Sequence, residues 1–320
     1  MAASALLVLN RRAGTGHAEG DADRLAGELK SGFGAALTVD VAIVDDHPTA
    51  RSAAASFAGS AGRPSLVVAA GGGGTLRAVV EGVMDTFGEP PNADVVSLGA
   101  LRMGSGNVIS RRVGIPVDPS RGARVVGDGF ARGRASLCAV MRCTHGTKGG
   151  GSATRHAVTM CGLGAWGRVP GDIARWREAH RVARKRAARL VGLERVNAAE
   201  YLAFGAGRIL GATVSARRSE LVEVEGKGRM RLVAAVALTV PLPPLPDPGV
   251  SLGDEAIGLT LLPRFAKPYR RRLERGAGLT IRLVDRESTE FFLDEDPEVA
   301  YGWLRLEVAG RRTFVAGDVA

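Results

Sequence analysis

Cysteine is scarce in this chain: Cys138, Cys143 and Cys161 are the three that occur in 320 residues. An odd number without Cys-x-x-Cys spacing excludes a disulfide framework and a structural zinc site, and the five histidines are not clustered with the cysteines. Reduced, buried thiols are the expected state, which suits a reducing compartment. Aromatic side chains make up 5% of the sequence, too few for the stacking platforms of a single-strand nucleic-acid binder. There is also no zinc-finger, RRM or KH signature, so the formal net charge of +10 does not point to nucleic acid. No apolar run approaches the roughly 20 residues that span a bilayer as a helix. Met1-Ala2-Ala3-Ser4 leads into a strand-like run with no basic segment before it, so the chain is expected to be cytoplasmic, neither exported nor integral to a membrane. Two nucleotide signatures are missing as well. No Walker A segment ends in Gly-Lys-Ser/Thr, and no Gly-x-Gly-x-x-Gly follows the first strand.

Apolar side chains make up 45% of the chain and charged ones 24%, enough for two sizeable cores and too apolar for disorder. Strands are predicted at Ala5–Asn10, Leu37–Val44, Ser65–Ala70 and Val95–Leu98. Helices are predicted at Ala18–Lys30, Pro48–Ala58, Thr75–Asp85, Ser105–Val113 and Pro119–Ala131. That alternation reads as a parallel sheet covered by helices. From residue 135 the texture changes to apolar runs separated by turns, at Ala135–Arg142, His156–Cys161, Gly211–Ala216, Arg231–Val240, Ile257–Leu262, Leu279–Val284, Thr289–Leu293 and Leu304–Val308, with a last short run at Arg312–Ala316. An antiparallel β domain follows from these. Gly146–Gly151 is expected to be a hairpin tip, and Val240–Pro248 an extended proline loop. The predicted domains are 1–134 (α/β), 135–310 (antiparallel β) and a tail, 311–320, returning to the first.

Two glycine-dense turns carry most of the functional information. Gly71-Gly72-Gly73-Gly74-Thr75 follows the buried run Leu66–Ala70, and Gly104-Ser105-Gly106-Asn107 follows the next strand. Glycines there let backbone approach a ligand, and a helix starting at Thr75 aims free N–H groups at an anion. In an open α/β sheet, ligands bind beyond the carboxyl ends of the strands, so these turns and the Asn10–Gly16 loop converge on one edge.

In order and separation, Asn10…Gly14-Thr15-Gly16, Gly71–Leu76, and Gly104-Ser105-Gly106-Asn107…Arg111…Gly114-Ile115-Pro116…Asp118-Pro119 resemble the diacylglycerol/sphingosine-type lipid kinase family. That family carries N-P-x-x-G, G-G-D-G-T and G-T-G-N-D-F-A-R segments followed by G-I-P-x-D-P. Looser similarity continues through Met160–Gly167, Ala199–Leu202, Ser251–Leu259 and Leu293–Asp296. The resemblance implies an NAD kinase/phosphofructokinase-like α/β domain followed by a β-sandwich domain. It implies transfer of the γ-phosphoryl group of ATP, with Mg²⁺, to the hydroxyl of a diacylglycerol, sphingoid base or ceramide. It places nucleotide contacts at Asn10, Arg11, Gly14, Thr15, Gly71, Gly72, Gly73, Gly74, Thr75, Gly104, Ser105, Gly106 and Asn107. Asp294, in the position of the family's D-G-E segment, is the implied general base, with Asp296, Glu295 and Asp254 as metal-side carboxylates.

The sequence departs from the family at Gly73 and Val108, where aspartates are usual, and at Arg11 and Arg102, where prolines are. Arg77, Ala78 and Glu81 replace Asn, Glu and Asn. A second reading is therefore a catalytically weakened homologue that binds nucleotide or lipid as a sensor. A third, an NAD kinase, fits the Gly-Ser-Gly-Asn and Gly-Ile-Pro segments less well. Basic residues at helical spacing, Arg177, Arg181, Arg184, Lys185 and Arg189, suggest reversible contact with an anionic membrane face, making the chain peripheral there. Partners are then a lipid acceptor and such a surface, with room for a homodimer.

Overall fold

A computed structural model describes residues 3–13, 19–60, 62, 64–89, 96–104, 107–242, 245 and 247–317. The chain divides into two compact units. The first comprises 1–140, 252–255 and 309–320, and the second 141–251 and 256–308.

The first unit is built from β1 (Ala3–Asn10), α1 (Glu19–Phe33), β2 (Leu37–Val44), α2 (His47–Ser60), β3 (Ser65–Gly71), α3 (Gly73–Phe87), β4 (Ser97–Arg102), α4 (Val108–Arg112) and α5 (Pro119–Ala131). β1 pairs in parallel with β2 and β3, and β3 with β4, giving the order 2-1-3-4. β3 is buried along its whole length, as expected of a parallel strand covered on both faces. The Asp118-Pro119 pair starts α5 in the way its sequence suggests. Asp118 accepts a hydrogen bond from Arg121 N, and proline takes the first helical position, where an N–H has no partner to lose. The fourth predicted strand shifts toward the C-terminus, to Ser97–Arg102. In order 2-1-3-4 the chain reverses its winding between β1 and β3, so the crevice favoured for ligands opens at Asn10 and Gly71.

The second unit is antiparallel and β-rich. β5 (Ala135–Gly146) crosses into it and forms a hairpin with β6 (Ser152–Ala157), its tip at the predicted glycines. β7 (Met160–Gly164), α6 (Val169–Ala179), α7 (Arg181–Val191), α8 (Leu193–Val214), β8 (Glu220–Val224), β9 (Gly228–Leu238), β10 (Ala256–Pro263), β11 (Tyr269–Glu274), β12 (Gly278–Leu283), β13 (Ser288–Leu293), β14 (Asp296–Tyr301) and β15 (Trp303–Val315) follow. β9 is central, pairing with β7, β8 and β10. Side chains alternate across a strand, and β13 shows the result: Phe291 and Leu293 enter one core with strand residues such as Ile257 and Leu279. Phe292, on the other face, enters a second core with Trp166, Val169, Ile173 and Ala212.

That second core belongs to a helical layer the sequence reading missed. Gly211–Ala216, predicted as a strand, is instead mostly the last turn of α8. The basic residues at helical spacing, Arg177 to Arg189, fall on two helices, α6 and α7, divided at His180, whose ring stacks on Trp176. The predicted strand His156–Cys161 breaks at Val158–Thr159 between β6 and β7, and the runs at 304–308 and 312–316 are one strand, β15. Leu242 and Leu245 of the proline loop pack against the helical core. Among the described residues, no helix is long and apolar enough to cross a membrane.

Candidate functional site

Asn10 ends β1, and its side chain ties two loops together. Nδ2 donates to Thr75 Oγ1 at 3.0 Å, while Oδ1 accepts from the backbone of Arg12 at 2.9 Å. Thr75 stands in the first turn of α3, 4% exposed, directly over the end of β3. A Cβ on Gly71 would lie 2.3 Å from Thr75 Oγ1, so only glycine lets the threonine sit there. The two glycine turns also touch. A Cβ on Gly104 would fall 2.1 Å from Gly72 Cα, whereas one on Gly72 would stand 3.4 Å from Gly104 Cα, an ordinary contact. Backbone therefore packs on backbone at the crevice predicted from the topology.

Asn107 locks the second turn. Its backbone is left-handed (φ 49°), its Oδ1 accepts from Gly104 N, and its Nδ2 donates to Gly104 O, both at 3.0 Å. Asparagine tolerates this conformation better than other non-glycine residues. α3 itself starts at Gly73 with Gly72 as its N-cap, no side-chain cap and no acidic residue in the first turn. The first N–H groups of a helix have no intrahelical partner and carry its positive end, which suits an anion such as phosphate.

Of the predicted nucleotide residues, Asn10, Gly71, Gly72, Gly73, Gly74, Thr75, Gly104 and Asn107 are described and gather at this edge. Gly14, Thr15, Ser105 and Gly106 lie outside the described residues. Arg11 turns to Asp45, pairing through Nη2 and donating from Nε at 3.1 Å; the guanidinium holds the Asp45 carboxyl below its ordinary range. The departures at 77 and 81 explain each other. Buried Arg77 and Glu81 pair at 3.5 Å one turn apart in α3, and Glu81 also meets Arg51 at 3.0 Å and His47 at 3.3 Å from α2.

Asp294 is the most buried of the predicted carboxylates. It is 1% exposed and sits in the two-residue hairpin between β13 and β14. Its carboxylate accepts from three successive backbone N–H groups, those of Val158 (2.6 Å), Thr159 (2.7 Å) and Met160 (3.0 Å), and from the Thr159 hydroxyl. Burial pushes the carboxyl up, and these donors pull it back. Thr239 completes the corner, its Oγ1 donating to Val158 O at 2.6 Å. In this structure the Asp294 carboxylate is a bracket that fills a nest of backbone donors and fixes the β6–β7 bend.

Glu295 and Asp296, beside it, are partly exposed, as is Asp254. Among the described residues, no group of three or more His, Cys, Asp or Glu side chains is placed to hold a metal. The predicted carboxylates thus make no protein metal cage. Arg177 and Arg184, predicted to face a membrane, are drawn inward instead. Both donate to Glu200, at 2.6 and 2.9 Å, and to Asn197. Arg181 is exposed, and the side chains of Lys185 and Arg189 lie outside the described residues.

Residues 4–137 match the sequence model of the Diacylglycerol kinase catalytic domain. That stretch of the first unit is similar to the family's catalytic domain. Outside the matched stretch, the likeness is one of fold. A diacylglycerol kinase from Bacillus anthracis strain Sterne superposes with a TM-score of 0.59 at 14% identity, covering 98% of this chain and 97% of its own. A second structure from that strain, described as a putative diacylglycerol kinase, gives a TM-score of 0.63 at 15% identity over 98% and 97%. A third gives 0.60 at 14% over 99% of both chains. No curated protein matches. The matched stretch contains the β1, β3 and β4 strand ends, where the glycine turns meet.

Proposed function

We propose that the chain is a lipid kinase that transfers the γ-phosphoryl group of ATP to a lipid hydroxyl, with a diacylglycerol-type or sphingoid-type alcohol as acceptor. The observation that carries this reading is the direct packing of Gly72 on Gly104 beside the Asn10–Thr75 hydrogen bond, within a stretch similar to the diacylglycerol kinase catalytic domain. Bound ATP with Mg²⁺ would supply the transferable group and offset its charge. The residues present fit the nucleotide: uncapped N–H groups at the start of α3 face the crevice end of the sheet, and glycine leaves backbone accessible there. Magnesium fits as an ion held mainly by phosphate oxygens and water, its usual mode in such enzymes, because the chain offers no carboxylate cage among the described residues. Glu295 and Asp296, partly exposed beside Asp294, are the carboxylates of that turn to which we assign taking a proton or steadying a metal. Arg181 is the described basic residue of the predicted membrane set that faces outward.

Labelled ATP offered with diacylglycerol, sphingosine and ceramide in mixed micelles tests the reading. Phosphorylated lipid is expected from at least one acceptor, and no transfer beside an active lipid kinase control would overturn it. Gly73 and Val108, where the family has aspartate, favour a second reading as a nucleotide-binding homologue without turnover. In that case ATP raises the melting temperature equally with and without Mg²⁺.

A further inference from the structure

The second unit carries a cavity of about 580 Å³ against α6 and α8, lined by none of the predicted site residues. One face of α8 forms its wall. Phe204, Arg208 and Ala212 recur every four residues, and Gly207 lies between them with open space where a side chain would stand. The other charged members are Arg168, Asp172 and Arg218.

Three guanidinium groups against one carboxylate leave an excess of two positive charges in the lining. Asp172 is already engaged. It takes both Nε and Nη2 of Arg208, at 2.5 and 2.7 Å, and also pairs with Arg175 at 2.6 Å. Arg208 holds its pair on the cavity wall and still has one amino group beyond it. Arg168 contributes a buried Nε with no hydrogen-bond partner among the described residues. Leaving such a donor empty is costly, so a buried, partnerless guanidinium N–H beside a cavity marks a place for an acceptor. Arg218 closes the opposite side, its guanidinium lying along Gly211 of α8.

We propose that this cavity binds a phosphate monoester carried on a small apolar body. A monoester has nearly two negative charges at neutral pH and several acceptor oxygens, which matches the excess charge and the planar donors of arginine. An inorganic ion would leave most of the volume empty, since cavities of this size take whole small molecules. The wall of Phe204, Ala203 and Ala212 suits the first carbons of an acyl or alkyl group. The class includes phosphorylated lipids of the kind the proposed kinase would make, but binding here requires no turnover. Failure of the kinase reading and failure of this one are therefore separable.

Calorimetric titration of the full chain with dihexanoyl phosphatidate below its micelle threshold tests the site, with dihexanoylglycerol and inorganic phosphate as separate ligands. Saturable binding of the phosphatidate and none of the neutral lipid is expected. Arg218→Ala should weaken it by about tenfold to a hundredfold, the value of one charged hydrogen-bonding partner. Gly207→Leu keeps every charge, favours the helix and fills the cavity, and it should abolish binding while the melting temperature holds. Phosphatidate binding more tightly than inorganic phosphate assigns the site to a lipid headgroup; equal binding assigns it to a free phosphate and keeps the anion site. No saturable binding of either, equal binding of the neutral lipid, or binding that Gly207→Leu leaves unchanged overturns the proposal.

Discussion

Two strand-end corners resembled a kinase in sequence, and they are built in opposite ways. At the Asn10–Gly71–Gly104 corner the structure works by leaving atoms out: glycine backbones touch, α3 starts without a cap, and two asparagines hold the turns open. At the Asp294 corner it works by filling a gap: one carboxylate occupies a nest of three backbone N–H groups and a hydroxyl. The first arrangement leaves donors for a ligand, and the second uses them up. A conserved-looking carboxylate in a motif is thus no guide to chemistry until its hydrogen bonds are accounted for.

The largest expected effect breaks the second corner. Asp294→Ala orphans buried donors at roughly 1–3 kcal/mol each, so a loss of at least about 3 kcal/mol of unfolding free energy is expected in urea titration. A catalytic base would behave differently, with turnover lost and stability kept. At the first corner, Gly104→Ala forces a methyl against Gly72 Cα, and overpacking of this kind costs about 1–3 kcal/mol. ATP-induced thermal stabilisation should disappear with it. Gly72→Ala meets only an ordinary contact, so it should retain most of that stabilisation. Equal damage from both alanines would show that the glycine packing is not what the nucleotide uses.

The same contrast explains what could be read from the sequence. Gly71 and Gly104 were legible because glycine after a buried strand has few other uses, and the β1–α5 alternation was legible from continuous apolar runs. The hydrogen bonds of Asp294 were not legible, because an acidic turn reads the same whether its oxygens face solvent or backbone. α8 was missed because its alanines and glycines, as in Gly211-Ala212, give no helical stripe, while β8 (Glu220–Val224) and β11 (Tyr269–Glu274) hid behind their charged residues. Arg168, Arg208 and Arg218 come from separate elements, and no spacing rule joins them.

A smaller effect sharpens the account of the Asp294 turn. Asp294 and Glu295 both have positive φ, 49° and 81°, as in the tight hairpin turns that prefer glycine at the second position. Asp294 makes four hydrogen bonds from its left-handed position, and Glu295 occupies the second position, where glycine meets no Cβ penalty. Glu295→Gly should therefore stabilise the chain by about 1 kcal/mol. The same variant reports on chemistry. If phosphoryl transfer survives it, Asp296 is the remaining partly exposed carboxylate of the turn to serve the reaction.

The smallest effect concerns Arg11, which is expected among the nucleotide contacts and is paired with Asp45 in the structure. The Asp45 carboxyl titrates below its ordinary value, first because of its hydrogen bond from Arg11. A lowered folded-state pKa gives stability that is present above the unfolded pKa, near 4, and is lost as pH falls through the folded one. The stability difference between wild type and Asp45→Asn should accordingly be flat above about pH 5 and close below about pH 4. Both groups are solvent-exposed, so the difference should also shrink with added salt. Arg11→Ala should leave ATP-induced stabilisation nearly intact, because the glycine corner does not depend on that guanidinium. A large loss would mean that Arg11 leaves Asp45 for the phosphates when nucleotide binds, which would give this corner a side-chain cation after all.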